Sequence, residues 1–165
     1  MHAEPALLAE CAGDRFADRN PAIRLRATSY THDAVVLGNF RRFVAVNGAL
    51  EIDLTGQANA ETLGGLHIGI VGGQMDFVRA ANRSLEGRSI IALQSTNRDR
   101  SRSRIVARLA DGVVTTPRAE ADLIVTEHGI AELRGRTLAE RARALIQVAD
   151  PAFRAELTKA GQRLV

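Results

Sequence analysis

The segment that most constrains this chain is HIGIVGGQMDFVRAA, residues 67–81. An apolar run, a glycine pair and a helical pattern follow one another without a break. His67 to Val71 reads as a buried strand, and Gln74 to Asn82 has helical spacing that puts Met75, Val78 and Ala81 on one side. Glycine at 72 and 73 removes the Cβ that would block close approach to the backbone. The helix N-terminus beyond them offers unpaired N–H donors and a favourable dipole. Such a turn can receive a phosphate or thioester group or form an oxyanion hole. A tight turn needed only for packing explains the same residues equally well.

The flanking segments extend the pattern. Asp33 is placed to cap a brief helical turn through Val36 and Leu37. Ile23–Arg26, Phe43–Val46, Ala49–Leu54, Ser89–Leu93, Ile105–Leu109, Val113–Thr116 and Leu123–Thr126 read as strands. Thr55-Gly56 and Asp111-Gly112 read as turns, and residues 95–103 (STNRDRSRS) as a polar loop. Residues 5–18 read as an amphipathic helix carrying Leu7, Leu8, Cys11 and Phe16. Near the end, Thr137 and Glu140 have capping-box spacing, and Leu138, Ala142, Leu145, Ile146 and Ala149 follow on one face. Asp150-Pro151 opens a last helix. Strands alternating with helices predict an α/β fold, and several strands with few helices between them predict a mixed sheet.

The 165 residues amount to one domain, taken as 1–165. No apolar run approaches the ~20 residues of a membrane helix. The N-terminus lacks the basic region of a signal peptide, and the single cysteine, Cys11, allows no internal disulfide; the expectation is a cytoplasmic protein without a membrane partner. No His or Cys stands near Cys11 at ligand spacing, so no metal is expected. Arg98, Arg100, Arg102 and Arg104 invite a nucleic-acid reading, but the chain has no Trp, one Tyr and five Phe, too few for stacking platforms. A loop that grips the phosphates of a nucleotide-like cofactor accounts for the run as well, and so does a solvated loop.

Glu127 ends the predicted strand Leu123–Thr126, where ligands of open α/β sheets bind. It could position a substrate or tune a neighbour's protonation, though an acid stabilised at a helix N-terminus is the commoner outcome. His128 beside it is a possible acid/base. Glu51 and Asp53 share one strand face and could act as a carboxylate pair, though a solvated face is the commoner outcome.

Taken together, VNGALEIDLTGQANAETLGG, GIVGGQMDFVRAANRS, SIIALQST, SRIVARL and VVTTPRAEADLIVTEHGIAELRGRTLAERARALIQVADPAFRAEL resemble the C-terminal domain of the acetyl-CoA hydrolase/transferase family. The resemblance runs from about Asn20 to Leu157. It implies an α/β fold, NagB/RpiA/CoA-transferase-like, with an open sheet flanked by helices. It implies transfer of coenzyme A between an acyl-CoA and a small carboxylate, or hydrolysis, through a glutamyl-CoA thioester. By the same resemblance Glu127 matches an active-site glutamate, and Gly69, Gly73 and Arg98 fall at CoA-contacting positions. His32 stands where relatives often carry an active-site Asn, and Asn47 is a further substrate-binding candidate. The family's thioester-forming glutamate lies upstream in a His-Thr-Glu or His-Ser-Glu phrase. His2-Ala3-Glu4 mimics that phrase but sits too close to the matching segment. The implied partners are therefore acyl-CoA, a small carboxylate and an N-terminal CoA-transferase half in the same or another chain, in a homo-oligomer. A stand-alone CoA-binding or regulatory module is the alternative.

Overall fold

The computed structural model describes residues 16–110 and 112–162. The helix expected over 5–18 falls almost wholly outside that range, as do Glu4 and Cys11. Two short helices come first, α1 (Thr28–Thr31) and α2 (Ala34–Gly38). Asp33 starts α2 by accepting hydrogen bonds from the N–H groups of Val35 and Val36, 2.8 and 2.9 Å away.

Five strands follow: β1 (Val44–Gly48), β2 (Glu51–Asp53), β3 (Ala58–Asn59), β4 (Thr62–Leu63) and β5 (Leu66–His67). Helix α3 (Gln74–Arg83) leads into β6 (Arg88–Ala92), β7 (Ile105–Val106), β8 (Leu123–Thr126) and β9 (Gly129–Glu132). Helix α4 (Leu138–Gln147), a 3-10 turn (Pro151–Phe153) and α5 (Arg154–Gly161) complete the order. The main sheet runs β1-β6-β8-β9; its first three strands are parallel and β9 is antiparallel, so the sheet is mixed. A smaller sheet, β3-β2-β7, packs beside it, and β4 and β5 form a separate hairpin.

Register fixes which side chains share a face. Ala45 pairs with Ser89, Ile91 with Ile124, and Ile124 with Ala131, and all five are buried. Helix α3 packs on β1 and β6 on this face, with Val78, Ala80 and Ala81 fully buried, and α4 packs on β9. Ile52, Leu54 and Ile105 of the smaller sheet join Leu133 and Leu145 in the same core. The opposite face carries Val44, Val46 and Ile130, which are 52, 65 and 65% exposed.

Local chemistry explains the element ends. Asp76 in the first turn of α3 and Arg83 in the last both favour its dipole. The Thr137–Glu140 capping box forms as the sequence predicts: Glu140 accepts from the Thr137 N–H at 2.8 Å, and Thr137 accepts from the Glu140 N–H at 3.3 Å. Thr137→Ala is expected to lower stability by about 1 kcal/mol in urea denaturation, leaving the slope of the transition unchanged.

Three predicted strands differ. Ile23–Arg26 lies outside any strand; its alternation is too short to recruit a partner. His67–Val71 is exposed rather than buried, and only Leu66–His67 pairs. Its β-branched residues fit an extended chain, which is what periodicity detects; burial is not. Val113–Thr116 supplies only an isolated bridge, Thr116 to Ala58.

Candidate functional site

The parallel strands share a carboxyl edge, and three of their ends converge there. Strand β8 does not lead into a helix. Glu127 and His128 form a two-residue turn between β8 and β9, with Thr126 paired to Gly129. Gly129 has φ +140°, a conformation that favours glycine in this reversal. Thr126 fixes the turn: its hydroxyl donates to the Val148 carbonyl at 2.6 Å and accepts from the His128 N–H at 3.1 Å.

Glu127 is anchored across the edge to the chain leaving β6. Its Oε2 accepts from the Ser95 N–H at 2.9 Å and its Oε1 from the Ser95 hydroxyl at 2.6 Å. The side chain remains 48% exposed, so the carboxylate is held but accessible. Burial works to raise its pKa. The hydrogen bonds from Ser95 and from backbone N–H groups, with His128 beside it, outweigh that and hold it below the ordinary 4.5. A depressed carboxylate contributes stability that is fully present above the ordinary value and is lost as pH falls through the folded one. Ser95→Ala is expected to move the Glu127 titration upward, read from its side-chain carbon in an NMR pH series.

A second layer lies behind Glu127. His128 Nε2 is 3.8 Å from Glu127 Oε1 and 3.9 Å from Asp150 Oδ2. These distances make it a neighbour of both carboxylates rather than a hydrogen-bond partner. Asp150 is almost fully buried and accepts from the Ala152 N–H at 2.9 Å and from Arg100 at 2.7 Å. Those bonds, the Ala152 one first, hold its carboxyl below the usual range. The loop carrying Arg100 is built rather than merely solvated. Asn97 accepts from the Arg102 N–H at 2.9 Å, Asp99 accepts from the Ser101 N–H at 3.0 Å, and Arg104 N–H donates to the Ser95 carbonyl at 2.8 Å. Arg98 stands exposed in this loop.

The α3 side of the edge brings two more candidates together. Gly73 is the N-cap of α3 and carries no side chain to cap it. The His32 imidazole lies where a Gly73 Cβ would be, and it meets Phe77 edge-on with ring centroids 4.8 Å apart. Thr31 Oγ1 and His32 Nδ1 are hydrogen-bonded at 2.9 Å. Helix α3 precedes β6 and runs antiparallel to it, so its N-terminus faces the same strand ends as Glu127. Asn47 sits near the end of β1, and its buried Nδ2 has no hydrogen-bond partner among the described residues.

Gly69 stands apart. The N–H groups of Ile68 and Gly69 both donate to the Glu61 carbonyl, at 2.7 and 2.9 Å, and a Cβ at 69 would collide with the Ala60 carbonyl oxygen. Asp53 is a turn organiser. Its buried carboxylate accepts from the N–H and hydroxyl of Thr55 at 2.9 and 2.6 Å and from the Gln57 N–H at 3.1 Å. That is the physical content of the DLTGQ phrase, and Asp53 is buried in this turn rather than on a solvated strand face. Sequence reasoning passed over Ser95 and Asp150. A polar residue just past a predicted strand end was the available signal for Ser95; Asp150 read only as a helix start. Among the described residues no cluster of three His, Cys, Asp or Glu could hold a metal, and no helix is long and apolar enough to cross a membrane.

An anchored carboxylate and a glycine-fronted helix thus belong to an open α/β domain built on a mixed sheet. The family model for the acetyl-CoA hydrolase/transferase C-terminal domain matches residues 14–161, and the chain belongs to that family. It is 43% identical over 143 residues to the 4-hydroxybutyrate coenzyme A transferase of Clostridium kluyveri, covering 86% of this chain and 33% of that protein. The crystal structure of RipA from Yersinia pestis superposes with a TM-score of 0.87 at 42% identity, covering 93% of this chain and 34% of RipA. The 4-hydroxybutyrate CoA-transferase of Porphyromonas gingivalis has a TM-score of 0.75 at 39% identity, covering 92% of this chain and 34% of that one. The chain thus spans about a third of the length of the relatives it matches.

Proposed function

We propose that this chain, assembled with an N-terminal CoA-transferase half, moves coenzyme A between an acyl-CoA and a small carboxylate, or releases it to water. The observation that carries this reading is the Glu127 carboxylate, held by Ser95 yet half exposed at the strand ends. Family membership and the coenzyme A named in the relatives support it. In this reading Gly73 and the free N–H groups that open α3 face the thioester end of the cofactor. Arg98 meets its phosphates from the loop. Asn47 offers its unpartnered amide donor, and His32 lines the substrate side. Glu127 contributes a fixed negative charge and a proton acceptor to the reacting groups.

The test is a chimera in which this chain replaces the matching third of the Clostridium kluyveri relative. The chimera is expected to transfer coenzyme A from acetyl-CoA to a short-chain carboxylate, and the 165-residue chain alone to show no appreciable transfer. A folded chimera without transfer or hydrolysis counts against the reading, and so does turnover by the chain alone.

A further inference from the structure

The face of the main sheet opposite α3 belongs to no site described above. The register puts Val44, Val46, Ile90, Leu123, Val125 and Ile130 on it together, with Arg88 and Glu132 at its margin. Val44, Val46 and Ile130 are more than half exposed, and Ile90, Leu123 and Val125 only partly covered. Among the described residues, α3 and α4 pack on strands of this sheet from the side of Ala45, Ile124 and Ala131. Four strands at ~4.8 Å spacing and about five residues of length give a face of roughly 300 Å² that is apolar apart from Arg88 and Glu132. A contiguous patch of several hundred Å² marks an interaction surface.

We infer that this face is the docking surface for a helical layer supplied by the N-terminal part of the transferase, which rests on the function proposed above. Three observations select that occupant. Parallel strands such as β1, β6 and β8 are found with both faces covered, and the cover is helical. Helices are ~10 Å across, so two lying side by side span the four strands. The relatives carry about two-thirds of their length outside the part that this chain matches, which is ample polypeptide for the layer. A second copy fits less well, because face-to-face sheet packing is the habit of antiparallel sandwiches.

Near-isosteric single cysteines read the surface directly. Val46→Cys and Ile130→Cys report on the face, and Leu85→Cys, at an exposed position in the turn after α3, serves as control. Maleimide labelling is followed site by site by peptide mass spectrometry, in the 165-residue chain and in the chimera. In the chain alone all three sites are expected to label at similar rates. In the chimera, positions 46 and 130 are expected to slow at least tenfold while position 85 does not change. A chimera that transfers coenzyme A but labels freely at 46 and 130 overturns the docking surface and leaves the proposed function standing. Protection at both positions without transfer keeps the surface and removes the function. Protection that grows with concentration in the chain alone identifies a second copy as the occupant and overturns the proposal.

Discussion

Glu127→Gln in the chimera is expected to lower turnover by about 100-fold or more while KM for the acyl-CoA changes little. The amide keeps the size of the carboxylate. Its oxygen can still accept from the Ser95 N–H, and the Ser95 hydroxyl can turn to accept from the new NH₂ group. The turn between β8 and β9 is held independently by Thr126 on Val148, so the backbone stays in place. What is lost is the negative charge and the proton-accepting oxygen, both of which matter most in the transition state. Steady-state kinetics with a parallel thermal melt separates the outcomes. Turnover within twofold of the parent would make Glu127 an anchor for the chain after β6 and nothing more.

Gly69→Ala is expected to destabilise the chain by about 1–3 kcal/mol, out of the roughly 5–15 kcal/mol that holds a domain together. The obstruction is the Ala60 carbonyl oxygen, a backbone atom that cannot swing aside as a side chain would. Relief requires the β4–β5 hairpin to shift, which strains the paired donations of Ile68 and Gly69 to Glu61. Gly48→Ala is the control, because open space surrounds a Cβ there. Urea midpoints for the two variants should differ clearly. If Gly69→Ala instead unfolds like the parent and weakens only coenzyme A affinity in the chimera, its glycine serves a ligand rather than packing.

The elements legible in the sequence were those whose causes are local. Asp33, the Thr137–Glu140 box and Asp150-Pro151 announce helix starts within four residues of chain. Ser89–Leu93 and Leu123–Thr126 are largely apolar runs, as the central strands of parallel sheets generally are. Strand β9 was missed because GIAEL is compact and charged at its end, and only pairing with β8 extends it. The site was legible in part. Glu127 and Gly73 were visible as residue types at suggestive positions, and His32 only through the family resemblance. That His32 fills the space in front of Gly73, and that Ser95 grips Glu127 from 32 positions away, depends on the sheet order, which no local pattern encodes.

That sheet order also governs how the chain must behave as it is made. Strand β6 is the hinge pin of the sheet: β1 lies on one side of it and β8 on the other. A nascent β1, the edge strand, therefore leaves the ribosome without its one partner, and gains it only when Arg88–Ala92 has emerged. At ~5–20 residues per second this leaves an apolar, unpaired strand waiting for seconds. Val44 and Val46, still exposed in the folded chain, are the apolar side chains left open to water over that interval.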